Sequence, residues 1–535
     1  MGDTERKRTA LISVSDKSRI ASFAQSLVEL GFVIYGSRGT AKYLNDVGIL
    51  TIDVSELVGG EAILGHRVVT LSREVHAGLL ARDIADDIAE LERLGIPRLD
   101  LVCVDMYPLE LEITRPGATM ESVTEQTDIG GPTMIRSGAK GRRIVVCDSA
   151  DQDHVLAWLK AGEPDDGFLL DLAAKAEFTV AKYVGASAVF LGQGKYVASF
   201  GKKVADCKGE NEWQKGAALY TSSSTDPLAV PAFDLVGGIA PSYNTWRFLD
   251  RGLQSITHVA AIWDKNFGRV PFIAIGSKHG NPCGAAVEDR PEDALVRMMA
   301  GNPRAIMGGF VITNFPLDDS CIEVLVGKKL DAIAAPRFSK SAVEALRRKG
   351  DKCRFLQNPA LRDIDQTSLD TSVLEQPVRG GRLCQPNYTH IPGLTDALRE
   401  VSQIDVRCGR VTEQILQDIA LACAIGSTSD SNTITLVNEH MLISNSVGQQ
   451  DRFTAARLAV SIAQGSGHDT RRSSGYGDSF FPFKDGPKEL ADAGVRAILA
   501  SSGSVNDKET IDFCGESGVT LLMVPDAIGR GFFGH

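Results

Sequence analysis

Between residues 9 and 149 the chain alternates short apolar runs with amphipathic stretches, a pattern that few folds satisfy. Residues 11–15 read as a buried strand. A helix over residues 19–30 follows, with Ile20, Phe23, Ala24, Leu27 and Leu30 at helical spacing and Gly31 as its stop. Residues 32–35 read as a strand, 40–44 as a helix start, and 101–104 and 144–147 as two further strands. Strands separated by helices need crossover connections, which give a parallel, doubly wound α/β sheet with ligands at the carboxyl ends of its strands.

A chain of 535 residues is too long for one core, so two or more domains are expected. An alanine-rich helix over residues 169–190 is expected to pack on the first domain, and the polar, glycine-rich stretch 192–216 reads as a linker. Beyond it, 259–275 and 305–312 are strand-like, 413–425 is helical, 433–446 reads as strand, and 495–525 as strand, helix, strand. The region after Val230 reads as a second α/β unit, divisible into two similar halves. The net charge of −11 and pI near 5.4 exclude a nucleic-acid coat or an anionic membrane surface as partner. There is no apolar run of bilayer length and no signal-peptide region, and the Met1-Gly2 start lacks the rest of a myristoylation motif. The ten cysteines form no C-x-x-C pair, which suits reduced thiols in the cytoplasm and argues against structural zinc.

Four polar clusters stand out. Ser13, Ser15 and Lys17 stand at one strand end, and Ser37, Arg38, Gly39 and Thr40 at the next. Hydroxyls and free N–H groups at a helix start, with two cations, suit a phosphate, although Ser37 and Thr40 also suit plain helix caps. Neither is a Walker loop or a dinucleotide fingerprint, so ATP and NAD are not indicated. Next, Asp128 precedes Gly130 and Gly131, which open a helix with Pro132 in its first turn. The glycine amides suit an oxyanion and Lys140 is its candidate counter-charge; a plain helix start with a solvated lysine is the alternative. Third, Lys278 and His279 stand in a Gly/Pro turn after an apolar strand, where an adjacent ammonium favours the neutral, proton-accepting imidazole. Pro282-Cys283 is similar to the zinc deaminase signature, but Asn281 and Ala286 stand where Glu and Cys are needed, so no zinc site is expected. The fourth cluster joins residues 430–432, 448–452 and 478–486, where Phe480 and Phe483 beside aspartates suit a flat heteroaromatic ring, though core packing explains them equally well.

In this order and spacing the clusters resemble the bifunctional AICAR formyltransferase/IMP cyclohydrolase family, which performs the last two steps of purine synthesis. The resemblance covers nearly the whole chain, through residues 11–17, 37–42, 125–140, 209–220, 278–286, 431–452 and 477–485, and the ending 530–535 echoes the family's C-terminus. It implies a methylglyoxal-synthase-like domain over residues 1–198 for ring closure. It also implies a transformylase domain over residues 199–535, built of two cytidine-deaminase-like subdomains without metal, for formyl transfer from 10-formyltetrahydrofolate. A homodimer with transfer sites across the subunit interface is implied too. On this resemblance His279 takes the proton of a weakly basic amine as the N–C bond forms, Lys278 tunes it, and Asn432 orients the carboxamide or formyl oxygen. Tyr107, Asp128, Lys140 and the Gly130 and Gly131 amides would assist ring closure. Nucleotide contacts carry over to Ser13, Ser15, Lys17, Ser37, Arg38, Gly39, Thr40, Arg67, Thr70 and Asp105 in the first domain. In the second they carry over to Lys208, Gly209, Asn211, Trp213 and Arg530, and folate contacts to Gln449, Arg452, Phe480, Phe483 and Asp485.

The departures cluster at substrate-facing positions. The family's R-V-K-T-L-H-P is here Arg67-Val68-Val69-Thr70-Leu71-Ser72-Arg73, so Val69 replaces a functional lysine. Asp105 replaces the asparagine two positions before Tyr107. In R-Y-G-x-N-P-H-Q a phosphate-binding arginine has become Cys207 and a substrate-contacting histidine Trp213; Lys208 restores one charge but not a bidentate fork. G-I-G-A-G-Q is here Ser444-Asn445-Ser446-Val447-Gly448-Gln449, and the ending is one residue longer, leaving the equivalence of Arg530 and His535 open. Two further readings follow. One is a divergent paralogue in nucleoside-type secondary metabolism that acts on a modified substrate with one half-reaction active. The other is a non-catalytic ligand-binding homologue, against which retention of Lys278, His279 and Asn432 argues.

Overall fold

The computed structural model describes residues 6–65, 67–193, 195–196, 198–222 and 225–531, and the chain divides between Phe200 and Gly201 into two compact units. The terminal residues 532–535, His535 among them, and the N-terminal Met1 and Gly2 lie outside the described residues.

In the first unit β1 (Arg8–Ser13), β2 (Phe32–Gly36), β3 (Thr51–Asp53), β4 (Leu101–Val104) and β5 (Ile144–Val146) form one parallel sheet in the order β3-β2-β1-β4-β5. The expected doubly wound architecture is therefore present. Its strands are buried on both faces because helices cover both. The helix Ile20–Glu29 contributes Phe23 and Leu27 to one core, and the helix Gly130–Lys140 contributes Met134 and Ile135 to the other. Strand β1 ends two residues earlier than the sequence suggests. Beyond it the Val14 N–H donates 3.3 Å to the Thr40 hydroxyl instead of to a neighbouring strand. The long helix Gly167–Gly192 buries Leu172, Ala176, Val180 and Tyr183 in this unit.

In the second unit β6 (Lys202–Asp206) and β7 (Ala218–Thr221) pair as an antiparallel ribbon, so the segment expected to be a linker is strand at its centre. The ribbon is largely solvent-exposed and so carries no hydrophobic alternation to betray it. The large sheet draws on β8 (Asp234–Gly237), β9 (Phe272–Lys278), β10 (Asn281–Glu288), β11 (Phe310–Thr313), β12 (Ala332–Ala335) and β13 (Arg354–Gln357). A second exposed ribbon, β14 (Val373–Val378) with β15 (Gly381–Pro386), stands apart from it. The sheet is completed by β16 (Asp405–Cys408), β17 (Ile434–Asn438), β18 (Met441–Ser446), β19 (Ser474–Gly477), β20 (Ala497–Ser502) and β21 (Thr520–Pro525). Its order is β16-β21-β20-β19-β17-β18-β10-β9-β11-β12-β13-β8. Read from the β18–β10 junction outward, each half repeats one plan: an antiparallel hairpin, three parallel strands, then an antiparallel edge. The two-halves expectation describes this sheet.

Three strand assignments change. Residues 259–267 close a helix, Tyr243–Phe267, and only Phe272–Lys278 of that stretch is strand. Val259, Ala260, Ala261 and Ile262 are buried on every side, so this stretch lacks the polar positions that would reveal a helical period. Of 305–312 only the part from Phe310 is strand, and 433–446 is a hairpin, β17 and β18, rather than one strand. Among the described residues no helix is long and apolar enough to cross a membrane. No group of three or more His, Cys, Asp or Glu among them is placed to hold a metal ion.

Candidate functional site

The first unit gathers its polar residues where a doubly wound sheet should, at the carboxyl ends of β1, β2 and β4. Ser37 is the N-cap of the helix Arg38–Asp46 but its hydroxyl donates 3.2 Å to Thr40 instead of capping. The Lys17 ammonium turns inward, donating to the Val14 carbonyl and, at 3.3 Å, to Thr40, and burial lowers its pKa. Asp105 accepts the N–H groups of Ser15 and, at 2.9 Å, of Asp16. Next to the Ser15 hydroxyl expected to help hold a phosphate, the main-chain donors are thus taken by a carboxylate. Arg38 pairs with Glu61 at 3.6 Å and Arg67 with Glu125 at 2.6 Å, both near the surface. Val69, partly buried, packs against the apolar cluster that includes Leu11, Val102 and Val104.

The second cluster departs from expectation. The Gly131 amide donates 2.9 Å to the Asp128 carboxylate, so that donor already has its acceptor. Both glycines answer a need for close approach: a Cβ on Gly131 would run into Asp128, and one on Gly130 would lie 2.7 Å from the Thr70 hydroxyl. Lys140 ends the helix that Gly130 begins, about 15 Å along the axis at 1.5 Å per residue, and cannot neutralise an anion at the glycine amides of its own chain. Burial raises the Asp128 pKa against the N–H bonds it accepts, and the Asp128 N–H donates 2.7 Å to the hydroxyl of the buried Tyr183, a partner the sequence did not signal. Tyr107 is exposed. Asp128, Lys140, Arg136, Glu177 and Tyr183 line a cleft of about 710 Å³.

In the second unit Lys278 ends β9, and His279-Gly280 form the turn into β10. The Lys278 ammonium donates to the carbonyls of Met307 at 2.8 Å and Gly308 at 2.9 Å, so it is engaged by main chain. His279 is exposed, with its ring edge-on to Phe248 at 6.2 Å. Asn432 donates 2.8 Å from its side chain to the Gln449 carbonyl, and the two residues also exchange main-chain bonds at 3.1 Å. The hairpin turn and this loop meet: Asn281 Nδ2 donates 2.8 Å to Asp430 Oδ2.

Other expected contacts are less free. Arg452 donates 2.9 Å to Asp478, whose side chain is wholly buried and whose pKa burial raises. Arg530 is paired with Asp526. Phe481 fills the core, whereas Phe480 is half-buried and Phe483 exposed. Asp485 is exposed at the start of its helix, and the Gln449 side chain donates 2.8 Å to the Val447 carbonyl. Asn211 and Gln214 close a tight turn in which Gly209 approaches Gln214, while Trp213 projects into solvent and the Lys208 carbonyl accepts the Tyr243 N–H at 3.0 Å.

A family model described as AICARFT/IMPCHase bienzyme matches residues 140–462, and one described as MGS-like domain matches residues 19–133. The bifunctional purine biosynthesis protein PurH of Bacillus cytotoxicus is 34% identical over 528 residues, covering 97% of this chain and 98% of that protein. The protein of the same name from Neisseria gonorrhoeae is 31% identical over 543 residues, covering 96% of this chain and 98% of its own length. A solved structure described as "Crystal structure of ForH" is 34% identical, covers 35% of this chain and 98% of that one, and has a TM-score of 0.32.

Proposed function

The chain belongs to the AICARFT/IMPCHase bienzyme family, and from that premise we propose that its second unit moves a formyl group from 10-formyltetrahydrofolate to the amine of an aminoimidazole-carboxamide ribotide or a close analogue. His279 accepts the amine proton as the new N–C bond forms and the bond from the formyl carbon to folate N10 breaks; a proton then returns to N10. Asn432 orients the carboxamide or the formyl oxygen by hydrogen bonding. Ring closure, attack of the carboxamide nitrogen on the new formyl group with loss of water, belongs to the first unit and is slow here, because Val69 and Asp105 remove a cation and add an anion where the substrate's charge must be met. The reading includes a homodimer in the cytoplasm that completes each transfer site across its interface.

The observation that carries it is the 2.8 Å bond from Asn281 to Asp430, which joins a residue two positions from His279 to one two positions from Asn432. Mixing the purified chain with 10-formyltetrahydrofolate and the aminoimidazole-carboxamide ribotide is expected to release tetrahydrofolate while open-chain formylated product accumulates. His279→Ala is expected to abolish the release. No release from the parent chain rejects transfer, and full release from the variant rejects His279 as its base; purine nucleotide formed as fast as tetrahydrofolate rejects slow closure.

A further inference from the structure

We infer that Arg251 is the positioning residue that fixes the His279 turn against the Asn432 loop, an inference that rests on the formyl-transfer reading. The turn is a two-residue hairpin loop in which both His279 (φ 53°) and Gly280 (φ 85°) have positive φ, the handedness that matches strand twist. A Cβ on Gly280 would lie 3.0 Å from Arg251 Cγ, so the arginine stem lies directly against the turn and any larger residue would press on it. The guanidinium then reaches across to the other half of the sheet. Nη1 donates to Asp430 Oδ1 at 3.0 Å, and Nη2 donates to Asn281 Oδ1 at 3.2 Å and to the Thr428 carbonyl at 3.1 Å. Asn281 closes the triangle on Asp430, whose own N–H donates back to Asn281 at 3.3 Å.

One helix face sets both sides of this arrangement. Phe248, three residues before Arg251 and on the same face, meets the His279 ring. Ser255, one turn after it, shares a 3.0 Å bond with Thr428. A planar fork that spans an aspartate, an amide and a carbonyl at once has a fixed geometry that an ammonium lacks. Burial alone would raise the Asp430 pKa, but Asn281 and Arg251 outweigh it and hold the carboxyl below its usual range, so the fork keeps a charged acceptor. Transfer from one bound group to another is acutely sensitive to such spacing: misplacement by about 1 Å costs on the order of 10²-fold in rate.

The test is single-turnover formyl transfer by the full-length chain in excess over 10-formyltetrahydrofolate, with saturating aminoimidazole-carboxamide ribotide. In Arg251→Met the first-order rate constant is expected to fall about 10²-fold. Arg251→Lys is expected to recover part of that loss, and folate affinity to stay within about twofold. Arg251→Met combined with Asp430→Asn is expected to be no slower than the slower single variant, since both break one network. A residue that merely stabilises the fold would shrink the reacting fraction and leave the rate constant alone. An unchanged rate constant in Arg251→Met, or strictly additive losses, therefore overturns the inference. If the parent transfers formyl and His279→Ala does not while Arg251→Met is normal, only this inference fails; if the parent does not transfer, the reading beneath it fails as well.

Discussion

Asp105 and Val69 bear on the same question, how an anionic nucleotide is met at the carboxyl end of the first sheet. Successive N–H groups in a loop form an anion-binding concavity, and here the N–H groups of Ser15 and Asp16 point at the Asp105 carboxylate. A phosphate entering this site must displace or face a fixed negative charge. Val69, partly buried against the apolar cluster, offers nothing to offset it. Asparagine at position 105 accepts through its oxygen without the charge, and lysine at 69 returns a cation. The double variant Asp105→Asn, Val69→Lys is expected to close formylated ribotide to the purine at least about tenfold faster than the parent, equivalent to about 1.4 kcal/mol of transition-state stabilisation. Val69→Lys alone is expected to cost about 1–3 kcal/mol of stability, because it puts an ammonium into a half-buried apolar position. Equal closure rates in parent and double variant would show that these two positions are not what limits the first unit.

At the scale of elements, the helix Tyr243–Phe267 matters most, since it carries Phe248, Arg251 and Ser255. Its start is a capping box: the Thr245 N–H donates to the Ser242 hydroxyl and the Ser242 N–H to the Thr245 hydroxyl, each at 3.2 Å. Ser242→Ala is expected to cost about 1 kcal/mol, read as a lower melting temperature of the second unit, with formyl transfer at low temperature nearly intact. Strong loss of transfer without loss of melting temperature would contradict this. Elements were legible where one face is buried and the other wet, as at residues 19–30, where a helix stands. They were illegible where burial is complete, as at Val259 to Ile262, or absent, as along β6. The β17–β18 turn escaped notice because Glu439 and His440 adopt φ of 50° and 63° without the usual glycine. At the candidate site, His279 and Asn432 were visible as motifs. Arg251 was not, because its partner Asp430 lies 179 residues away in sequence and nothing local hints at the pairing. Lys140 misled for the converse reason: nearness in sequence to Gly130 becomes distance along a helix.

For the whole molecule, each unit closes its own cores, so thermal unfolding is expected to show two transitions with separate pH responses. The second unit holds His258, fully buried, its Nδ1 at 2.8 Å from the Gln254 carbonyl and its ring stacked on Tyr388 at 5.7 Å. Burial pushes its pKa from 6.5 down to about 4, and burial also lowers His390 and His440 in the same unit. The sign follows from linkage. Below pH 6.5 the unfolded chain takes up a proton at this position that the native state refuses, so stability falls as the pH drops, until the native imidazole titrates near 4. Between pH 6.5 and 5 that one group removes roughly 2 kcal/mol, at about 1.4 kcal/mol per pH unit. His258→Asn keeps an N–H for the Gln254 carbonyl but does not titrate in this range. Differential scanning calorimetry at pH 7 and pH 5 is expected to show the second unit's transition falling further than the first's in the parent. In the variant the second unit's transition should move less than in the parent while the first unit's shift is unchanged. A variant that keeps the parent's acid slope would mean that the imidazole is already protonated inside the fold, which would require an anionic partner where the structure places the main chain of Gln254 and Tyr388, the Tyr388 ring and the His390 imidazole.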